Sequence, residues 1–247
     1  MLLGEELILL LLDDEKGTWL LPKRAVRRSV RVALVVELLA RRTVSFDDDG
    51  NLVQGLSGTT DGDPVLDRVA KEIVDGSLVT AMEPGSRELP QLLSRLRSKG
   101  VLRRGHLLRR RHLPRDHHPE AAVRARLAEA LGVRMRPDRH TALLVAMVYE
   151  MDLLGRLFPE RDSLEMASRA ATITTQLRTD AHYFPTTLEQ DAKAGEGSAI
   201  GLGLADGAGD VLSGIGDALE LLELVGNMIK LASLPIRAVG KILEDLP

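Results

Sequence analysis

Apolar residues along this chain fall in blocks whose spacing is mostly helical. The first block, Leu7 to Leu12, follows Glu5 and Glu6 and predicts a short apolar helix over residues 3–12. Asp13-Asp14-Glu15-Lys16-Gly17 reads as a turn, and Leu21-Pro22 opens a second helix running to about Arg42, with proline tolerated in its first turn. The second half of that helix, Val32 to Ala40, is apolar nearly all round, which marks it as the central buried helix. Glu37 interrupts it. A buried carboxylate needs a partner, and an arginine is the expected one, a reading favoured over a catalytic role.

Val44 to Val53, with Asp47-Asp48-Asp49-Gly50-Asn51 in its middle, reads as a hairpin or tight loop. Pro64 to Val74 is a helix with Val65, Leu66, Val69 and Ile73 as its apolar stripe. Another starts at Ser86 or Arg87, runs to Ser98 and stops at Gly100. Residues 101–115 hold Gly105 and Pro114 and predict a second hairpin. Pro119 to Leu131, a single long helix from Asp138 to Phe158, and residues 163–180 complete the helical pattern. Residues 191–210 are Gly-rich and linker-like. Beyond them Val211, Ile215, Leu219, Leu222, Val225 and Ile229 share one helical face, predicting an amphipathic tail over 211–247. The fold class is mainly α: a helical bundle over residues 1–190 with a protruding β-hairpin, a linker, and the tail. Docking of the tail on protein, including self-association, is favoured over lipid, because Asp210, Asp217, Glu220 and Glu223 on its polar side would meet repulsion from an anionic membrane.

Composition sharpens this picture. Hydrophobic residues make up 44% of the 247, but aromatics only 2%, so Leu, Val, Ile and Ala must fill the core. Cysteine is absent, which excludes disulfides, thiol catalysis and cysteine-based zinc sites. The start lacks the features of a signal peptide, and no stretch reaches the roughly 18 uncharged apolar residues of a membrane-spanning helix, so any membrane contact is expected to be peripheral. Seven lysines stand against 26 arginines, a bias that hints at a GC-rich bacterial genome. Net charge is −3, but unevenly spread: Arg87 to Arg139 holds 15 Lys and Arg against 5 Asp and Glu. A basic block in an acidic chain points to a local anionic partner, or to a solvated face neutralised by acidic neighbours.

The arginines are the candidate chemistry. Arg24, Arg27, Arg28 and Arg31 recur at three- and four-residue spacing and share one face of the second helix. Guanidinium forks match phosphate geometry. Arg109-Arg110-Arg111, flanked by Leu107-Leu108 and Leu113, are what a membrane-contacting hairpin tip needs: leucines for the acyl boundary, arginines for headgroups. Nucleic acid is disfavoured, for want of a helix-turn-helix cue and of aromatics to stack on bases. His106, His112, His117, His118 and His140 are irregularly spaced beside repelling arginines and read as surface histidines in a basic loop, not metal ligands. Asp47-Asp48-Asp49 lacks the spacing of a calcium loop. Gly201, Gly203 and Gly207 follow no strand and make no dinucleotide fingerprint. No nucleophile or acid–base arrangement emerges, so the expectation is a non-enzymatic protein with no cofactor and no metal.

Several segments resemble the Golgi phosphoprotein 3 (GPP34) family: Leu3 to Gly17, Ser29 to Arg42, Pro64 to Arg68, Leu92 to Leu102, and the helix ending Leu154-Gly-Arg-Leu-Phe-Pro. Their order and spacing cover roughly residues 2–180. The resemblance implies a helical core with a protruding hairpin, and a peripheral protein on the cytoplasmic side of a membrane. It also implies binding of phosphatidylinositol 4-phosphate and of the tails of membrane proteins. Ungapped, it sets Arg31 on one lipid-site arginine of the family. The family's site tryptophan falls on Pro22, three residues from Trp19, and two further arginines fall on Ser86 and Leu89, beside Arg87. The expected headgroup site is therefore Arg31 with Arg24, Arg27, Arg28, Trp19 and Arg87. The alternative is an adaptor for protein tails without lipid affinity, self-associating through the hairpin or the tail.

Overall fold

A computed structural model describes residues 1–13, 16–46, 51–55, 60–74, 76–104, 112–132 and 136–179. The hairpin tip at 105–111, the Gly-rich linker and the tail lie outside these. Helix α1 (Leu3–Leu10) is buried on every side. It packs against α2 (Lys23–Ala40), α5 (Glu88–Ser98), α6 (His118–Gly132) and α7 (Arg139–Glu150). Around this centre stand α3 (Pro64–Ile73), the short α4 (Leu78–Ala81) and α8 (Leu154–Leu157), and α9 (Ser163–Thr179), which lies along α7. The predicted mainly helical class holds.

Both expected hairpins form. β1 (Val44–Phe46) and β2 (Asn51–Gln54) pair antiparallel with Ser45 opposite Val53, and β4 (Leu102–Arg104) pairs with β5 (His112–Pro114) with Arg103 opposite Leu113. The first gains a strand not foreseen: β3 (Gly76–Ser77) pairs with β2. Two residues are too short to leave a sequence signal. Gly55 follows β2, where a β-carbon would overlap the Arg42 carbonyl.

The single helix expected from Asp138 to Phe158 is a correction. It ends after Glu150, turns through Asp152 at φ 53°, and restarts as α8. The end is a Schellman motif: Leu153 N–H donates to the Val148 carbonyl at 3.1 Å and Asp152 N–H to that of Tyr149 at 3.0 Å. The same pair of bonds closes α5 at Gly100 and α2 at Arg42. Glycine announces such a stop in sequence, but aspartate and arginine do not. Helix starts are more legible: Asp63 accepts from Val65 and Leu66 N–H at 2.9 and 3.3 Å, and Asp138 from Thr141 N–H at 3.0 Å.

Carboxylates inside the core each hold a cation. Glu37 accepts from Arg41 Nη2 and Leu3 N–H, both at 2.8 Å, as its arginine partner was expected to do. Glu5, fully buried, takes Lys99 Nζ at 2.9 Å and Arg95 Nε at 3.3 Å. Its neighbour Glu6 binds Arg126, and His140 Nε2 at 3.0 Å. His140 is therefore a half-buried ligand of a core carboxylate, which corrects its reading as a loop histidine. Burial disfavours the charged form of Glu6, but the hydrogen bonds and charges of His140 and Arg126 outweigh that and hold its pKa below the ordinary range.

Candidate functional site

Helix α2 divides at its middle. From Val32 to Leu39 every residue is buried, which fixes the helix in the core. The preceding turns project toward the surface, and Pro22 at the N-cap fixes the entry of the chain. Along these turns Lys23 and Arg24 are exposed, Arg27 and Arg28 half-buried, and Arg31 buried. The apolar anchor thus holds a graded row of cations, from solvent to core.

Arg31 requires a correction. It was expected to grip a phosphate, but only 4% of it is exposed and its guanidinium is already held. Nη1 donates to Glu88 Oε1 at 2.7 Å and to Glu72 Oε2 at 2.9 Å, and Nε to the Ala81 carbonyl at 2.7 Å. One side chain thereby ties α2 to α3, α4 and α5. A phosphate would have to displace two carboxylates, one of them buried. Gly85 makes room for this clamp, because a β-carbon there would overlap the Glu88 carboxylate.

The clamp has a geometric consequence for its neighbours. Glu88 is the first residue of α5, so Arg31 draws the start of α5 against α2. Arg87, exposed at the N-cap of α5, directly precedes the clamped Glu88. Among the described residues Arg24, Arg27 and Arg87 have no carboxylate within ion-pairing distance, and Arg27 Nε is buried without a hydrogen-bond partner. Arg28 does make interactions. Ser86 is exposed, but Leu89, on the other position where a second cation was sought, is a core residue at 3% exposure.

Trp19 lies in the α1–α2 loop, half-buried against the core and bridged to Leu12. That loop folds back on α1 through Leu20 N–H to the Leu11 carbonyl at 2.9 Å. Trp19 therefore sits just before the basic turns of α2. Trp19 precedes the first turns of α2, which carry Arg24, Arg27 and Arg28; Arg87 adjoins Glu88 of the clamp, and Arg31 itself is a structural residue. Leu107, Leu108, Arg109, Arg110 and Arg111 lie outside the described residues. The β4–β5 stem that leads to them is formed, and Arg103 on it is exposed. Lys23 belongs to the same basic turns of α2 and was missed, because a lone lysine beside a run of arginines gave no separate signal.

A sequence model of Golgi phosphoprotein 3 (GPP34) matches residues 3–193. The chain belongs to the GPP34 family. No curated relative matches it. The match spans every described helix and ends where the Gly-rich segment begins, so this GPP34 chain carries the family core followed by a tail that the family model does not cover. No helix among the described residues is long and apolar enough to cross a membrane. In this GPP34 core the helical bundle and the β4–β5 hairpin agree with the architecture that the resemblance implied.

Proposed function

We propose that this GPP34 chain is a non-enzymatic, peripheral membrane module that binds anionic phospholipid on the cytoplasmic face of a membrane. The contacting residues are Arg24, Arg27, Arg28 and Arg87 with Trp19, joined on this reading by the leucines and arginines from Leu107 to Arg111. The observation that carries the reading is the charge state of these arginines: Arg24, Arg27 and Arg87 lack carboxylate partners among the described residues, while Arg31 is neutralised. Cations left unpaired on a rigid helix are available to phosphate oxygens. At ~1 kcal/mol for each basic residue near an anionic surface, three would contribute about 3 kcal/mol, or roughly a hundredfold in affinity. By family resemblance the preferred headgroup is phosphatidylinositol 4-phosphate.

Vesicle co-sedimentation tests this with neutral vesicles, vesicles carrying a generic anionic lipid, and vesicles carrying phosphatidylinositol 4-phosphate at matched charge. The wild type is expected to bind both anionic sets and to prefer the last. Arg24→Glu/Arg27→Glu/Arg87→Glu is expected to lose binding while keeping its melting temperature. Equal binding to both anionic sets would reduce the proposal to a charge-driven anchor. Absence of binding to any vesicle would overturn it in favour of the protein-tail adaptor.

A further inference from the structure

A groove of about 490 Å³ opens between α6 and the corner that joins α8 to α9. Three of the residues lining it are arginines: Arg124 on α6, Arg156 in α8, and Arg161 just before α9. The way they are held sets them apart from the clamped arginines of the core. Arg156 Nη1 donates to the Leu20 carbonyl, Arg161 Nη1 to the Ala128 carbonyl, and Arg124 Nη1 to the Leu157 carbonyl, each at 2.9 Å. A carbonyl orients a guanidinium without cancelling its charge, and one bond occupies one of about five N–H donors. Only Arg124 has a carboxylate, with Glu120 Oε1 at 2.6 Å from its Nε. Among the described residues Arg156 and Arg161 pair with no carboxylate. Glu160 also lines the groove and, among the described residues, makes no ion pair; with Glu120 it offsets two of the three arginine charges, which leaves the groove net cationic.

Small residues keep the floor open. Ala125 and Ala128 line it, and a β-carbon on Gly132 would come within 3.3 Å of Arg161 Nη1, so glycine at the end of α6 lets that guanidinium lie across the last turn. Leu157, Phe158 and Pro159 form an apolar wall. The combination is a preoriented set of guanidinium forks over a shallow, partly apolar floor, which suits a phosphate group carrying a small organic substituent.

We propose that this groove is a second anion site, which takes a small phosphate-bearing ligand through Arg156 and Arg161 with Arg124 at its side. Its arginines are not those of the α2 face, although Arg156 reaches the α1–α2 loop at Leu20. The phosphate belongs either to a soluble ester or to a phospholipid headgroup, and the two sources are separable. Arg156→Gln/Arg161→Gln removes both charges at exposed positions, and an unchanged melting temperature verifies that the fold is retained. Lys71→Glu, on the exposed side of α3, changes the net charge by the same two units and controls for it.

Calorimetric titration of the full chain with inorganic pyrophosphate is one arm. Co-sedimentation with phosphatidylcholine vesicles carrying phosphatidic acid is the other. The double variant is expected to weaken binding about tenfold or more in at least one arm, with the lysine control unchanged. Weakening with pyrophosphate alone assigns the site to soluble phosphate esters, and weakening with vesicles assigns it to a headgroup. Undiminished binding in both arms, or a loss matched by Lys71→Glu, would overturn the site.

Discussion

Replacing Arg31 with alanine separates a structural arginine from a lipid-gripping one. The substitution deletes three hydrogen bonds, to Glu88, Glu72 and the Ala81 carbonyl. It leaves the Glu88 carboxylate, whose side chain is 4% exposed, without its cation inside the protein. Glu72 matters less, because its side chain is 43% exposed and water can replace the lost partner. The dominant loss is therefore the uncompensated buried charge at Glu88, for which about 3–5 kcal/mol is the expected scale. A second substitution isolates that cause: in Arg31→Met/Glu88→Leu no buried charge is orphaned, and most of the stability should return. Urea denaturation followed by circular dichroism measures both. A loss below about 1 kcal/mol in Arg31→Ala, together with weakened binding to anionic vesicles, would refute the clamp and restore Arg31 as a headgroup ligand.

Gly85→Ala should disturb the same clamp from the other side, since its methyl group must push the Glu88 carboxylate off Arg31; a melting temperature equal to that of the wild type would show that the loop simply moves. The carboxyls of Glu6, Asp63 and Asp138 are all held below their ordinary values of 4.5, 3.8 and 3.8. In each case burial opposes ionisation and is outweighed: in Glu6 by His140 and Arg126, in Asp63 by Arg95 and the Val65 and Leu66 N–H groups, in Asp138 by Thr141 with Arg126 and His140. Depressed folded-state values mean that their contribution is complete above the unfolded pKa values and is lost as pH falls through the folded ones. Thermal melts from pH 7 down to pH 3 should therefore show stability dropping below about pH 4.5, with a shallower drop in Glu6→Gln; an identical slope in that variant would remove Glu6 from the account.

How far the sequence could be read depended on whether a feature was local. Helix positions followed from apolar spacing, and the starts at Pro64 and Asp138 agree with the caps that Asp63 and Asp138 form within one turn. Glu37 signalled its need for an arginine, since a charge inside an apolar run must be paired, and that arginine lay one turn on at Arg41. The break at Asp152 was invisible because it needs a left-handed residue that is not glycine. Arg31 misled for a related reason. Its spacing with Arg24, Arg27 and Arg28 shows a common face, but the carboxylates that neutralise it stand 41 and 57 residues away. The groove arginines escaped notice altogether. Arg124, Arg156 and Arg161 come from separate elements, and their convergence on one groove is a property of tertiary geometry.

Helix α1 emerges from the ribosome well before the partners that enclose it. Its apolar surface is covered by α2, α5, α6 and α7, the last of which ends at Glu150. At roughly 5–20 residues per second of synthesis, the leucines from Leu7 to Leu12 wait on the order of 10 s for their final neighbours. Glu5 and Glu6 then meet partners made at different times: Arg95 and Lys99 first, from α5 and its C-cap, and later Arg126 and His140. Adjacent carboxylates on α1 thus assign each later-made helix its own berth, and a nascent chain stalled before α6 would present an apolar segment to chaperones with one of its two charges still unclaimed.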